Sequence, residues 1–211
     1  MGLFKKFVNQ TRKPEGVLGK LMVNGMNGGH AKLADWGMSY LPKLTPDDIV
    51  DLGCGGGRNA GELANRYQNA HVIGIDYSQV SVDKASTHNK KRISEGRMLI
   101  KQDDVSQLRL PNGKFDLATA FETIYFWPGL EKCFSEVYNV LKPGGTFLIV
   151  NESDGTDETS LKFQKIIDGM HCYTAYEIDA ALKSAGFSDV QVNHHEDKPW
   201  ISVVAKKGDG V

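Results

Sequence analysis

The sequence predicts an α/β fold: a seven-stranded, mostly parallel sheet with helices on both faces, a C-terminal antiparallel strand pair and a small helical N-terminal cap. Three observations carry this expectation. From about residue 49 onward, short apolar β-branched runs alternate with longer stretches of helical period, the pattern of a parallel sheet covered by helices. The first run, Ile49-Val50-Asp51-Leu52, passes directly into Gly53-Cys54-Gly55-Gly56-Gly57. The last two runs are separated only by residues 195–199, too short for a crossover helix, so they pair antiparallel at one edge.

In chain order, the strands are expected at residues 49–52, 71–76, 98–102, 115–121, 146–151, 189–194 and 200–205, with helices near 59–67, 79–94, 130–141 and 175–185. Ser78 is placed to cap the second helix of the core. Thr174-Ala175-Tyr176-Glu177 reads as a capping box, closed at the far end by Gly186. Lys142-Pro143-Gly144-Gly145 stops a helix and turns into a strand. Residues 1–45 differ, with Asn24, Gly25, Asn27, Gly28 and Gly29 forming an expected hinge before an amphipathic segment at 31–41 that Pro42 ends. The expected organisation is therefore a cap or lid at 1–45, a core domain at 46–207 and a flexible tail at 208–211.

Composition bounds the function. The chain has 211 residues, with 25 Lys+Arg against 26 Asp+Glu, enough for one domain that buries roughly 70% of its unfolded surface without disulfides or a structural metal. Cys54, Cys133 and Cys172 form no CxxC pair, which points to reduced thiols in a cytoplasm and against a zinc framework. No apolar run approaches the roughly 20 residues that span a bilayer, so no stable membrane insertion is expected. Lys6 stands where a myristoylation signal needs Ser or Thr. The formal net charge of -1 gives no global bias toward nucleic acid or anionic membrane. Lys5, Lys6, Arg12 and Lys13 make only the beginning basic.

A strand running into a glycine-rich turn and then a helix brings backbone N–H groups close to a ligand with no β-carbons in the way. Val72-Ile73-Gly74-Ile75-Asp76 then ends in a carboxylate about 20 residues after the loop, where an acidic group accepts both hydroxyls of a ribose. Two ligands compete at this point, a dinucleotide such as NAD and S-adenosylmethionine. The dinucleotide fingerprint needs Gly or Ala three positions after Gly55, and Arg58 stands there. A sulfonium amino acid has no phosphates to seat, so the loop favours it.

Asp51-Leu52-Gly53-Cys54-Gly55-Gly56-Gly57 resembles the first motif of class I S-adenosylmethionine-dependent methyltransferases. Gly74-Ile75-Asp76-Tyr77-Ser78, with Ala85 later in the helix, is similar to the family's second-strand motif. Asp103-Asp104-Val105-Ser106-Gln107-Leu108 resembles its adenine-binding stretch, Gly113-Lys114-Phe115-Asp116-Leu117 its fourth-strand entry, and Leu141-Lys142-Pro143-Gly144-Gly145 its fifth-strand turn. The resemblance runs from about residue 45 to 206. It implies a small-molecule methyltransferase that uses S-adenosylmethionine. It also implies that the backbone at Gly53 and Gly55 approaches the methionine part of that cofactor, with Asp51 near its amine. Asp76 is then expected on the ribose hydroxyls, Tyr77 on the adenine, Asp104 on its exocyclic amine with Asp103 as the alternative, and the Val105 N–H on a ring nitrogen. Arg58 either pairs with the cofactor carboxylate or faces water.

The acceptor is expected beyond the carboxyl ends of the strands, beside the aromatic connection Phe121-Glu122-Thr123-Ile124-Tyr125-Phe126-Trp127-Pro128. Trp36, Tyr40, Tyr125, Trp127 and Tyr173 are the expected pocket residues. Glu122 is the first candidate for a general base, with His30 or His171 behind it, and no metal is expected. The Asn-Pro-Pro-aromatic tetrad of nucleic-acid amine methyltransferases is missing, which argues against a DNA substrate. Competing expectations are an NAD-dependent oxidoreductase and a non-catalytic S-adenosylmethionine-binding module. A homodimer contact is the rival role for the cap helix.

Overall fold

The computed structural model describes residues 30–209. The expected hinge between Asn24 and Gly29, and the basic residues before it, lie outside the described residues. In chain order the elements are α1 (Ala31–Met38), β1 (Asp48–Leu52), α2 (Arg58–Arg66), β2 (His71–Asp76), α3 (Gln79–His88), α4 (Lys90–Ser94) and β3 (Met98–Gln102). They continue with β4 (Phe115–Phe121), a 3-10 turn (Ile124–Phe126), α5 (Leu130–Val140), β5 (Leu141–Asn151), α6 (Glu158–Gln164), α7 (Ala175–Ser184), β6 (Phe187–His194) and β7 (Ile201–Lys207). The seven strands form one sheet in the order β3-β2-β1-β4-β5-β7-β6. Every pairing from β3 to β5 is parallel, and β7 inserts antiparallel between β5 and β6.

The strands are apolar on both sides because helices cover both faces. Val50 and Leu52 of β1 face the layer of α5 and α7, joining Phe134, Val137, Ile178 and Leu182. Ile49 faces the other layer, with Leu33 and Met38 of α1, Leu63 of α2 and Val82 of α3. The same alternation sends Phe147 and Ile149 of β5 one way and Leu148 and Val150 the other. Strand order reverses between β1 and β4, which opens a crevice beyond their carboxyl ends.

Two helix expectations are corrected. The single helix expected at 79–94 is two, α3 and α4, because Asn89 leaves helical geometry (φ -106, ψ 16). Its side chain is buried, and its amide nitrogen donates to the carbonyls of Gly57 (2.8 Å) and Ala85 (3.1 Å). Ser78 occupies the N-cap of α3, but its side chain makes no capping hydrogen bond there. The capping box of α7 forms as expected between Thr174 and Glu177.

Helix α1 lies flat on the sheet. Leu33, Ala34, Gly37 and Met38 are buried under it, and a β-carbon at Gly37 would overlap the Val150 side chain. Only glycine lets the helix approach β5 so closely. The Ser202 hydroxyl donates to the Gly37 carbonyl (3.2 Å), and the Arg66 guanidinium donates to the Met38 carbonyl (2.9 Å).

Candidate functional site: a cofactor cavity at the strand ends

A cavity of about 280 Å³ opens at the switch point, walled by the loop after β1, the ends of β2 and β4, the 103–105 segment and the start of α1. Gly53, Gly55 and Gly57 all have positive φ (72, 52 and 78). Two of these positions need glycine for different reasons. A β-carbon at Gly53 would collide with the Thr123 hydroxyl, whereas one at Gly55 would meet nothing within 4 Å and would project into open space. Gly55 is thus a place where a ligand can touch bare backbone.

Asp51 and Asp76 face this space from the ends of β1 and β2. Asp51 is buried; one carboxylate oxygen accepts from the Thr119 hydroxyl (2.8 Å), and the other, Oδ2, has no hydrogen-bond partner among the described residues. Burial pushes the Asp51 carboxyl up to about 7, against the Thr119 hydrogen bond and with the nearby Asp76 charge adding to the rise. Asp76 accepts from the Gly55 N–H and the Ser78 N–H, both at 2.9 Å, so it is oriented from both sides. Burial raises its carboxyl too.

Of the two neighbouring acids, Asp103 is committed elsewhere. Its carboxylate sits 3.0 Å from both Lys101 and Arg109, and these cations outweigh its burial to hold it below the ordinary carboxylate range. Asp104 is exposed, and one of its oxygens caps the turn through the Ser106 N–H and hydroxyl (both 2.8 Å). Tyr77 and Val105 line the same stretch of wall, and Tyr77 is 39% exposed. Arg58 borders the cavity, but its guanidinium grips both oxygens of Asp35 on α1 (2.8 and 3.1 Å).

The opposite wall holds Glu122, Phe126, Trp127, Leu33 and His30. Glu122 is a non-glycine residue at φ 58, a conformation the surrounding hydrogen bonds must enforce. Its N–H donates to the Val150 carbonyl (2.9 Å). Its Oε1 accepts from the Tyr125 hydroxyl (3.1 Å) and from the Glu152 N–H, leaving Oε2 toward His30. Burial pushes the Glu122 carboxyl up to about 8, and the charge of Glu152 adds to the rise.

Several expected pocket residues stand elsewhere. Trp36 and Tyr40 project from the outer side of α1, where Trp36 meets His195 and Trp200 (ring centroids 5.4 and 5.9 Å). Tyr125 lies one layer behind the cavity, buried, and serves Glu122 and the Ser153 N–H. The Tyr173 ring meets His171 at a tilt (centroids 4.3 Å), and His171 is exposed and faces Glu177 at 3.9 Å. None of these five lines the cavity. Trp127 does, and so does His30. Residues the sequence did not single out are Thr119, Thr123, Asn89 and Asp35, each of which acts by holding a neighbour and leaves no motif.

A family model described as a methyltransferase domain matches residues 49–145, the stretch that supplies the glycine loop, Asp51, Asp76 and Asp104. Residues 49–145 belong to this methyltransferase-domain family. The chain is 31% identical over 179 residues to the sterol 24-C-methyltransferase ERG6 of Saccharomyces cerevisiae, covering 77% of this chain and 46% of that protein. It is 30% identical over 173 residues to the sterol 24-C-methyltransferase erg-4 of Neurospora crassa, covering 74% and 45%. The chain therefore spans less than half the length of these curated relatives. Its fold is similar to that of human N-acetylserotonin methyltransferase solved with its cofactor, with a TM-score of 0.72 and 19% identity over 90% of this chain and 55% of that one. S-adenosylmethionine is the cofactor of this methyltransferase family, and the cavity fits it: an unpartnered buried carboxylate oxygen at Asp51 suits an ammonium, and the bare backbone at Gly55 leaves room beside it.

Proposed function

We propose that the domain transfers the methyl group of S-adenosylmethionine to a small-molecule acceptor by in-line displacement. The observation that carries this reading is that one continuous cavity joins the cofactor-type groups of the β1 and β2 ends to the apolar wall of Leu33, Phe126 and Trp127, with Glu122 and His30 beside it. When bound, the cofactor supplies an electrophilic methyl carbon on a sulfonium and leaves as S-adenosylhomocysteine.

The residues have separable tasks. Asp51 offers its unpartnered oxygen to the cofactor ammonium, and the oriented carboxylate of Asp76 takes the ribose hydroxyls. The Tyr77 ring packs on the adenine, and the Val105 N–H reaches a ring nitrogen. Asp104 rather than Asp103 accepts from the exocyclic amine, because Asp103 is held by Lys101 and Arg109. Arg58 serves the cap helix through Asp35. At the acceptor end, the apolar wall desolvates the reacting pair, which shortens the approach of nucleophile and methyl. Glu122 in its ionised form, the majority only above about pH 8, is the group placed to take a proton from the acceptor: the Tyr125 hydroxyl and the Glu152 N–H fix it, and His30 lies beside its other oxygen. His171 does not line the cavity and faces Glu177, so it is not assigned that task.

The sterol substrates named for the relatives support an apolar acceptor, as do the Leu33, Phe126 and Trp127 walls. DNA is not the substrate proposed, given the balanced charge. The three free, buried cysteines support a reducing compartment such as the cytoplasm. Calorimetry with S-adenosylhomocysteine, and an acceptor screen with methyl-labelled cofactor read by product mass, test the reading. Asp76→Ala is expected to weaken S-adenosylhomocysteine by about 1.5–3 kcal/mol, the loss of hydrogen bonds to a charged acceptor. Tight NAD binding without any response to S-adenosylhomocysteine would overturn it.

A further inference from the structure

Three segments distant in sequence bring His30, Glu122 and Glu152 together: the turn before α1, the end of β4 and the end of β5. One ligand-capable atom from each lies within 4.8 Å of the other two. The groups do not hydrogen-bond one another through these atoms. His30 Nδ1 stands 3.9 Å from Glu122 Oε2 and Nε2 stands 3.6 Å from Glu152 Oε2, ion-pair separations too long for direct hydrogen bonds. The Oε1 of Glu122 is already occupied by the Tyr125 hydroxyl and the Glu152 N–H, which orients Oε2 as a buried metal ligand is oriented by its outer hydrogen bonds.

We propose that this cluster is a divalent-cation site at the cavity wall, with one imidazole nitrogen and two carboxylate oxygens as ligands. It rests on the reading of the cavity as the transfer site and names how its polar end works. A hard ion such as Mn²⁺, which favours carboxylate oxygens and also accepts an imidazole nitrogen, suits this donor set, and its charge matches the two carboxylates. Bond lengths of about 2.0–2.2 Å require each side-chain end to move inward by less than about 1 Å. His30 and Glu122 line the cavity, so the remaining coordination positions face the acceptor. With an ion bound, Glu122 Oε2 serves as a ligand and not as the proton acceptor, and a hydroxyl acceptor in an open position loses its proton to water at a lower pH than a free hydroxyl, which points to acceptors methylated on an ionisable hydroxyl.

Mn²⁺ titration of the chelator-stripped full chain, saturated with S-adenosylhomocysteine and followed by the electron paramagnetic resonance of the free ion, tests this. One site per chain is expected, weakened at least tenfold in His30→Ala and in Glu152→Gln, with S-adenosylhomocysteine affinity within twofold of the parent. Both positions are only partly buried, so the variants avoid the folding risk of a Glu122 substitution. Mn²⁺ binding that both variants keep would overturn the proposal, as would no binding tighter than millimolar. Mn²⁺ retained on the parent while S-adenosylhomocysteine fails to bind would support the ion site and count only against the cofactor reading.

Discussion

Asp51 shows how a single buried carboxylate becomes specific for a cation. One oxygen is satisfied by Thr119 and the other by nothing among the described residues, and burial holds the group protonated up to about pH 7. The cofactor ammonium requires the ionised form. Affinity for S-adenosylhomocysteine is therefore expected to rise between pH 6 and 8, and Asp51→Asn should remove most of that dependence while weakening binding about tenfold or more, the loss of a charge-assisted hydrogen bond. Calorimetry at several pH values in both proteins is the measurement; equal pH profiles would show that Asp51 does not meet the ammonium. Asp51 and Asp76 were legible in the sequence because each ends an apolar strand beside a glycine loop. Thr119 was not, because a mid-strand threonine carries no mark of the carboxylate it faces. Nor was Asn89, whose buried amide ties α3 to the Gly57 carbonyl. Asn89→Ala is expected to cost about 1–3 kcal/mol by stranding that carbonyl, read as a lower denaturation midpoint with weaker cofactor binding. An unchanged midpoint would count against this tie.

At the scale of the element, α1 is where the sequence said least and the structure most. Its amphipathic period was visible, but which way its aromatic side chains pointed depends on the face that meets the sheet, and that face is chosen by Gly37. With no β-carbon there, the helix sinks onto Val150, which turns Trp36 outward to His195 and Trp200 and leaves Leu33, Ala34 and His30 over the cavity. The described part of the cap is a helix packed on the sheet and tied down by Ser202, Arg66 and the Arg58–Asp35 pair. Gly37→Ala is expected to destabilise the protein by about 1–3 kcal/mol through overpacking, and to lower methyl transfer by shifting His30 and Leu33. Asp35→Asn, which removes a partly exposed ion pair, should change stability by less than about 1 kcal/mol. Thermal melts of the two variants separate packing from pairing, and a larger loss in Asp35→Asn would reverse the assignment.

Across the whole molecule, the mostly parallel sheet and its antiparallel terminal pair followed from alternation and connection length, whereas the strand order and the electrostatic balance of the fold emerge only when the strand ends are assembled. Burial holds protons on Asp51 up to about pH 7 and on Glu122 up to about 8, while the unfolded chain gives both up near pH 4. Over that window the folded state binds more protons than the unfolded one, so unfolding free energy falls as pH rises. The carboxyls of Asp103, Asp116, Asp157 and Glu177 are lowered by their partners and act in the opposite sense, their contribution being present above about pH 4 and lost below it. Stability of the ligand-free, chelator-treated protein should therefore peak near pH 4–5 and decline toward pH 8. One kcal/mol moves the melting temperature of a chain this size by about 2–4 °C, so a fall of at least about 4 °C between pH 5.5 and 8 is expected by differential scanning fluorimetry. S-adenosylhomocysteine should reverse part of it, stabilising more at pH 8 than at pH 6, because its ammonium favours the ionised Asp51. A melting temperature that climbs across this window in the absence of ligand would show that the strand-end carboxyls are not held protonated by the fold.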